Sequence, residues 1–182
     1  MEEGIAEHFE KVAQSHWEFR NPEEKCWWAW AAGLIDGEGC ISIKRRKTKE
    51  GWRCDTLTVT LGMTDKKAIQ RLKEITQVGS IRFLPAKPEK GWRAQYIWSC
   101  ASGKAASVLR LCLPWLITKK EQAFIALAFR ELQERTHQGG GGRKGGSLPR
   151  SASENAKRQA LAEALRLLHN TRGNKKADLN VS

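Results

Sequence analysis

The sequence predicts an α+β fold with the order α-β-β-α-β-β-α, in which helices cover one face of an antiparallel sheet. The first observation is that two pairs of segments alternate apolar and polar residues with the period of a β-strand. The second is that each pair is followed by a segment whose apolar residues have helical spacing. The third is size, because 182 residues with 40% hydrophobic composition can bury one core of ordinary extent.

The first helix is predicted to run from Pro22 to about Gly37. Asn21 suits the N-cap position, and proline is tolerated in the first turn of a helix. Two glutamates after the proline favour the positive end of the helix dipole. The stretch WWAWAAGL that follows is apolar, and we expect its tryptophans and Leu34 to face the core.

Two antiparallel strands are predicted next, in CISIKRRK (residues 40–47) and DTLTVTLGM (residues 55–63). Gly51 lies between them and suits a hairpin connection. A second helix is predicted in TDKKAIQRLKEIT (residues 64–76), with Thr64 as the candidate N-cap. Three apolar residues share one face of this helix: Ile69, Leu72 and Ile75.

The same order of elements then recurs along the chain. GSIRFLPA (residues 79–86) and GWRAQYIWSC (residues 91–100) predict a second hairpin, and SGKAASVLRLCL (residues 102–113) predicts a third helix. A longer helix from about Lys119 to Thr136 closes the core. Its apolar side carries three residues: Ala123, Phe124 and Leu127.

Composition divides the chain into three segments. We expect an acidic N-terminal extension over residues 1–20, a core over residues 21–137, and a Gly-rich basic linker with a C-terminal helix and tail over residues 138–182. The stretch SASE (residues 151–154) is a capping box for that last helix, whose apolar residues include Leu161, Leu165 and Leu168.

Targeting and membrane segments are not recognisable in the sequence. No apolar run approaches the roughly 20 residues that a bilayer crossing requires, and the acidic N-terminus is unlike a signal or transit peptide. We therefore expect an intracellular protein, whether in an organelle or in the cytoplasm of a bacterium or phage host.

Cysteines and histidines exclude several classes of site. The five cysteines include no C-x-x-C pair, and the four histidines are scattered, so neither a zinc site nor a His-based nuclease motif can be assembled with familiar spacing. We expect reduced, mostly buried thiols.

The charge of the chain indicates an anionic partner. Net charge is +12 with a pI near 9.8, although residues 1–19 carry five Glu against one Lys. Charge alone does not distinguish DNA from RNA or from an anionic membrane, and a generic basic protein would also fit it.

The predicted strands separate into two chemically different faces, because successive residues of a strand point to opposite sides. One face is apolar and is expected to form the core: Ile41, Ile43, Leu57, Val59, Leu61, Ile81, Phe83, Tyr96 and Trp98. The other is polar: Ser42, Lys44, Arg46, Thr56, Thr58, Thr60, Arg82, Arg93 and Gln95. These nine positions include four cations and no carboxylate, which favours a surface that reads base edges over an ordinary solvated face.

The first helix ends with two carboxylates, Asp36 and Glu38, in an otherwise basic chain. A carboxylate that faces phosphate needs a cation between them, and Mg²⁺ binds one or two carboxylates together with phosphate oxygens and water. We predict Glu38 as a metal ligand with the backbone carbonyl of Gly37 nearby. Asp36 is either a second ligand or a cap for neighbouring backbone. The alternative is a helix terminus with two exposed acids.

Small residues follow one face of the same helix, at Ala29, Gly33 and Gly37. Such a stripe permits two helices to approach closely. If the second helix belongs to an identical subunit, two-fold symmetry brings two copies of Glu38 to the axis.

The stretch AAGLIDGEG (residues 31–39) resembles the signature of the LAGLIDADG homing endonucleases, and the resemblance extends over roughly residues 21–136. It implies the family fold, with a saddle-like antiparallel sheet for DNA and helices on the other face. It also implies that Glu38 is the catalytic, metal-binding acid and that Asp36 has a structural, helix-capping role.

Further site residues are carried over from the same resemblance. LPWLITKKEQA (residues 113–123) is similar to the family segment in which a lysine supports the active-site water and phosphate. Lys119 matches that catalytic lysine. Asp65 stands where the family often has glutamine, and this departure leaves the composition of the pocket open. The other candidates for the pocket are Gln70, Arg71, Lys120 and Gln122.

A single copy of the motif implies a homodimer that makes a double-strand break in a long, near-palindromic DNA target. The resemblance also implies Mg²⁺ as cofactor, with Mn²⁺ as a substitute, and a role in intron mobility. The alternatives are an intron RNA maturase or a DNA-binding relative that does not cleave. A ribonucleoprotein component that stacks bases on tryptophans is a third possibility.

Overall fold

The observed elements follow the predicted order α-β-β-α-β-β-α, and two further helices come after it. The computed structural model describes residues 21–47, 53–137 and 151–174. In chain order the helices and strands are α1 Pro22–Glu38, β1 Gly39–Lys47, β2 Arg53–Met63, α2 Lys66–Thr76, β3 Ser80–Leu84, β4 Gln95–Ala101, α3 Ser102–Cys112, α4 Lys120–His137 and α5 Ala152–Asn174. Short 3₁₀ turns occupy Pro88–Lys90 and Leu113–Trp115.

The four strands form one antiparallel sheet in the order β1-β2-β4-β3. Ser42 pairs with Thr58 between β1 and β2, and Leu61 pairs with Trp98 between β2 and β4. The helices α1, α2, α3 and α4 all pack against the sheet. The core therefore lies between the apolar face of the sheet and the helical layer, as the alternation predicts.

Buried side chains from both layers meet in this core. The members with less than 2% exposure include Ile35, Ile41, Leu57, Val59, Leu61, Ile69, Leu72, Trp98, Leu109 and Leu127. Complete burial of one such side chain stabilises a fold by about 1.5–3 kcal/mol before the entropy of ordering is considered. The indole of Trp98 also donates a hydrogen bond to the carbonyl of Val78 (3.0 Å), so its polar atom is satisfied inside the core.

The edge strand β3 differs from the prediction. Ile81 and Phe83 face the same side as Trp98 and Tyr96, but Ile81 is exposed and Phe83 is 52% exposed, so they are not core residues. β3 has a neighbour on one side alone, and the helical layer covers the inner strands more completely than this edge. Phe83 packs instead against the ring of Tyr96, with the centroids 5.1 Å apart.

The second hairpin is also shorter than predicted. The strands stop at Leu84 and start again at Gln95, because Pro85 and Pro88 lack the N–H that a sheet ladder uses. An isolated bridge between Lys87 and Trp92 holds the connection together.

Two helix starts test the capping predictions. Thr64 is not the N-cap of α2. The cap is Asp65, whose carboxylate accepts hydrogen bonds from the amides of Lys67 (2.7 Å) and Ala68 (3.2 Å). At α5 the capping box is confirmed, since Ser151 Oγ accepts from the amide of Glu154 (3.2 Å).

The C-terminal helix α5 packs on α4 and on β1. Leu165 is buried there, and the guanidinium of Arg158 donates to the carbonyl of Leu132 (3.0 Å). α5 therefore extends the helical layer at the β1 edge. The acidic extension, the 48–52 connection with Gly51, the Gly-rich linker and the basic tail lie outside the described residues.

None of the helices in the described part of the chain combines the length and apolarity that a membrane crossing requires.

Candidate functional site

The junction between α1 and β1 positions Glu38. Glu38 is the last residue of the helix, and β1 begins at Gly39 without a connecting loop. A Cβ at Gly39 would lie 2.6 Å from the carbonyl oxygen of Ile35, closer than real contacts allow, so this direct exit requires glycine. Glu38 is exposed at this junction, two residues before Cys40, which pairs with Thr60 on the polar face of the sheet.

Asp36 anchors the start of α4 instead of facing solvent. One carboxylate oxygen accepts from the amides of Ile117 (2.6 Å) and Thr118 (3.1 Å), and the other accepts from the amide of Lys119 (2.8 Å). Asp36 therefore holds the turn that leads into α4 and lies near the positive end of the dipole of that helix. Burial raises the pKa of Asp36, but these hydrogen bonds outweigh burial and the resulting pKa is lowered.

Lys119 is held at the same end of α1. Its amine donates a hydrogen bond to the main-chain carbonyl of Asp36, two residues before Glu38. Its own carbonyl accepts from the amide of Ala123 (2.9 Å), which fixes Lys119 as the residue that precedes the first turn of α4. Two motifs that lie about eighty residues apart in sequence are thereby brought together.

The other predicted pocket residues are distributed over several places. Asp65 caps α2, as described above. Arg71 lies 3.9 Å from the ring centroid of Trp27 and pairs with Glu74 (3.1 Å). Trp27 is eleven residues from Glu38, about 16 Å along the helix axis. Arg71 therefore contacts α1 far from the end that carries Glu38.

The remaining three candidates for the pocket are two glutamines and a lysine. Gln70 is exposed on α2, and Lys120 is half-buried at the start of α4. Gln122 is 1% exposed, and its Oε1 has no hydrogen-bond partner among the described residues. Gln122 thus belongs to the packed interior behind Lys119 and not to an open pocket.

The number of available carboxylates limits the kind of site that can hold a divalent cation. In residues 21–47, 53–137 and 151–174, no group of three or more His, Cys, Asp or Glu side chains could hold a metal ion. Asp36 uses both oxygens on backbone amides, whereas Glu38 is exposed at the same helix end. A single carboxylate fits Mg²⁺, which keeps several waters and takes phosphate oxygens as ligands, but it does not fit an all-protein metal cage.

The polar face of the sheet is partly as predicted. Lys44 pairs with Thr56, and Thr60 pairs with Cys40 on the same face. Arg82 and Gln95 are exposed on β3 and β4. The side chain of Arg46 lies outside the described residues.

Two predicted members of this face need correction. Thr58 is only 8% exposed, because its hydroxyl is hydrogen-bonded to that of Ser42 (2.9 Å) and also donates to the carbonyl of Ser42 (3.3 Å). Arg93 is exposed, but it lies in the connection before β4 and not in the strand. The proline-containing connection explains this shift.

The register also places on this face residues that sequence reasoning missed. They are Cys40, Gly62, Ser80, Leu84, Ile97 and Ser99. The strand alternation continued from Ser42, Thr60, Arg82 and Gln95 reaches all six of these residues.

One face of α1 is open to a partner. Gly33 and Gly37 are exposed, and a Cβ at either would meet no atom of the described residues within 4 Å. Cys26 is exposed on the same face, and Trp30 is 37% exposed, so this tryptophan does not face the core. Ile117, beside Asp36, is 84% exposed. Neither glycine is required by packing within one chain.

Comparisons with known proteins agree with this geometry. The sequence model described as LAGLIDADG endonuclease matches residues 31–127, more than half of the chain. None of the curated proteins matches the sequence significantly.

Solved structures share the fold. The homing endonuclease I-CvuI, in complex with its target in the presence of Ca, has a TM-score of 0.62 at 19% identity, over 81% of this chain and 85% of that one. The same enzyme with a second target in the presence of Mg gives 0.63 at 21% identity and the same coverage. The archaeal intron-encoded homing endonuclease I-Vdi141I, in complex with DNA, gives 0.62 at 14% identity, over 80% and 85%.

Proposed function

Because the chain belongs to the LAGLIDADG endonuclease family, we propose that it is a site-specific homing endonuclease that acts as a homodimer and makes a metal-dependent double-strand break. The single observation that carries the proposal is the joint placement of Glu38 and Lys119 at one end of α1. Binding alone requires neither an exposed acid beside a phosphate-binding face nor a lysine fixed next to it. We place the reaction inside the cell, where genomic DNA is found.

The chain's own residues divide the chemistry between them. Glu38, with the carbonyl of Gly37 nearby, would hold Mg²⁺. When bound, this ion neutralises the charge of the scissile phosphate and makes a ligated water a stronger nucleophile. The ammonium of Lys119 donates to the carbonyl of Asp36 at the same end of α1 as Glu38. From there its positive charge can stabilise the negative charge that develops on the phosphate in the transition state.

Asp36 positions this site without touching the substrate. Its three amide hydrogen bonds tie the end of α1 to the start of α4, so that Glu38 and Lys119 move as one unit. Such preorganisation matters because a displacement of about 1 Å can cost a factor of about 100 in rate.

The sheet supplies recognition in this proposal. Lys44, Arg82 and Gln95 are exposed on the polar face, and Arg93 lies beside it. Arg contacts to guanine and Gln contacts to adenine contribute roughly 1–3 kcal/mol of discrimination each in the major groove. The similar structures of I-CvuI and I-Vdi141I were obtained with DNA, which supports duplex DNA as the partner.

The homodimer is supported by the open face of α1. The chain has one copy of the motif and thus one Glu38, whereas cleavage of two strands needs two catalytic acids. Gly33 and Gly37 leave space that one chain does not use. Two-fold packing through this face would bring both acids to the axis, and such a dimer reads a near-palindromic site.

A Glu38→Gln variant tests the nuclease. Duplexes retained by the wild-type protein from a random library in Ca²⁺ are recovered and then incubated with Mg²⁺ or Mn²⁺. We expect the wild type to cut both strands and the variant to bind the same duplexes without cutting, because glutamine keeps the shape and removes the charge. A wild type that binds these duplexes but leaves them intact would favour a DNA-binding relative. Preferential retention of a structured intron RNA would favour a maturase.

A further inference from the structure

A block of four side chains at the β3–β4 end of the sheet departs from the polar character of its face. Arg82 pairs with Ile97, and Leu84 pairs with Gln95. Each of these two cross-strand pairs therefore contains one hydrogen-bonding and one apolar side chain. The two apolar residues, Ile97 and Leu84, are diagonal neighbours on the paired strands. All four share the face on which Lys44 and Thr60 lie.

The apolar members of this block are accessible. Leu84 and Ile97 are half-buried, although the core lies on the opposite face of the sheet. Gly62 is the cross-strand neighbour of Ile97. A Cβ at Gly62 would lie 3.6 Å from Ile97 Cγ1 and 3.6 Å from Gln95 Oε1. The absent side chain at Gly62 therefore leaves a shallow gap bordered by Ile97 and Gln95.

The β1–β2 end of the same face has a different character. There Ser42 and Thr58 are hydrogen-bonded to each other, and Thr58 is almost fully covered. The accessible apolar surface formed by Leu84 and Ile97 is thus confined to the β3–β4 end of this face. A single exposed leucine needs no explanation, but two adjacent apolar residues framed by Arg and Gln on a DNA-facing sheet match one specific chemistry.

That chemistry is the thymine methyl group. In the major groove thymine alone presents a methyl group, which side chains recognise by apolar contact. Glutamine bridges N6 and N7 of adenine, so a Gln beside an aliphatic side chain can contact both bases of one A·T pair. Neighbouring side chains on paired strands are about 5 Å apart and adjacent base pairs are about 3.4 Å apart, so two such side chains can contact the same base pair or two consecutive ones.

We propose that Ile97 and Leu84 are specificity residues that read thymine methyl groups in each half-site, next to an adenine read by Gln95 and a guanine read by Arg82. This inference rests on the proposed function, because it assumes that this face enters the major groove. It adds the base composition that one part of the target must have.

The test replaces thymine by deoxyuridine, which removes the methyl group and preserves the pairing. Duplexes selected by the full-length protein in Ca²⁺ are resynthesised with deoxyuridine at one thymine at a time, and dissociation constants are measured. We expect about a fourfold loss of affinity at one or two positions in each half-site, as burial of one methyl group implies. At these positions Ile97→Ala or Leu84→Ala should remove the difference between thymine and deoxyuridine.

Matched variants separate methyl readout from a general effect. Ile97→Val retains a branched apolar surface and should retain the preference for thymine. Ile81→Ala changes an exposed apolar residue on the opposite face and should leave the preference unchanged. Circular dichroism and the thermal midpoint of each variant establish that it is folded.

The outcomes distinguish this inference from the proposed function. If the wild type retains no particular duplex, the proposed function fails and the inference fails with it. If it selects duplexes but deoxyuridine has no effect at any position, or if the effect persists unchanged in both alanine variants, the methyl readout is wrong while the endonuclease proposal stands.

Discussion

At the scale of single residues, two acids of similar chemistry have different environments. Asp36 is saturated with backbone amides, and Glu38 is exposed two residues later. A carboxylate at the C-terminus of its own helix is unfavourable, but Asp36 lies at the N-terminus of α4, where the dipole attracts it. The unfavourable interaction of Asp36 with the dipole of α1 is thus offset by its favourable interaction with the dipole of α4.

Asp36→Asn should lower the free energy of unfolding by about 1–2 kcal/mol, since an amide is a weaker acceptor for the amides of Ile117 and Lys119. Urea denaturation at neutral pH measures this change. Asp65→Asn is a matched control, because asparagine is as good an N-cap as aspartate at an ordinary helix start.

The same carboxylate predicts a dependence of stability on pH. The pKa of Asp36 is lowered from its ordinary value of 3.8, so its contribution is complete above that value and is lost as pH falls through the lower, folded-state pKa. Acid unfolding of the wild type should therefore contain a component that Asp36→Asn lacks. Parallel acid titrations of the two proteins would contradict this assignment.

The cysteines divide into exposed and buried thiols. Cys26 and Cys40 are exposed, which corrects the expectation of mostly buried thiols, whereas Cys100 and Cys112 are buried. Burial raises the pKa of Cys100 to about 12 and raises the pKa of Cys112 as well, so neither is expected to react near neutral pH.

Maleimide labelling with peptide mapping should therefore modify Cys40 and leave Cys100 and Cys112 unmodified in the folded protein. Target DNA in Ca²⁺ should protect Cys40, which lies on the polar face of the sheet next to the α1–β1 junction. Equal labelling of Cys40 with and without tightly bound DNA would place the DNA on another surface.

At the scale of elements, the glycines of α1 and its exit serve different purposes. Gly39 is required inside one chain by the close approach of Ile35, whereas Gly33 and Gly37 border open space. A helix with two interior glycines gives up roughly 1 kcal/mol at each relative to alanine. This cost is understandable if the glycines serve contact with a second helix.

Gly39→Ala should destabilise the fold by more than 2 kcal/mol or displace the junction, because its Cβ would overlap backbone atoms that cannot move freely. Gly33→Ala is the matched control and should leave the isolated chain as stable as the wild type or up to about 1 kcal/mol more stable. Thermal unfolding of both variants under conditions that dissociate any oligomer compares them. The reverse order of stabilities would contradict the assignment.

At the scale of the whole molecule, the exposed face of α1 and the single Glu38 of each chain both favour a second copy of the chain in the proposed function. The exposed face of α1 carries Gly33, Gly37 and Trp30, and each chain has one Glu38 at the α1–β1 junction, whereas the double-strand break that we propose needs two catalytic acids. The proposed homodimer through α1 would cover this face and supply the second acid.

Gly33→Leu should yield a folded monomer that no longer cuts DNA, because the larger side chain prevents close approach of the two helices. Sedimentation velocity measures the oligomeric state, and circular dichroism confirms the fold. A leucine at the exposed Lys104 of α3 is a control that should remain dimeric. A wild type that is monomeric with and without its target would refute the homodimer.

Periodicity in the sequence was sufficient to predict the order of the elements and the two faces of the inner strands, and the SASE motif was sufficient to predict the capping box at Ser151. These are local properties, because alternation and helical spacing depend on neighbours within one segment. The end of β3 and the start of β4 were predicted less well. There the two prolines of the connection interrupt the ladder, and the alternation continues past the last paired residue.

The family resemblance of two segments, and not periodicity, predicted Glu38 and Lys119, which the fold brings to the same end of α1. The fold places the pocket candidate Arg71 against Trp27 instead, and this contact between two helices is not visible in the spacing of either segment.

The sequence by itself determined the fold class and the cationic face of the sheet. Only the tertiary structure decided that Asp36 binds the turn before α4 while Glu38 stays exposed, that Lys119 reaches the end of α1, and that Leu84 and Ile97 interrupt the polar face. The physical reason is that spacing along the chain specifies direction within one element. The partner of a side chain is specified only when residues about eighty positions apart come within 3 Å of each other.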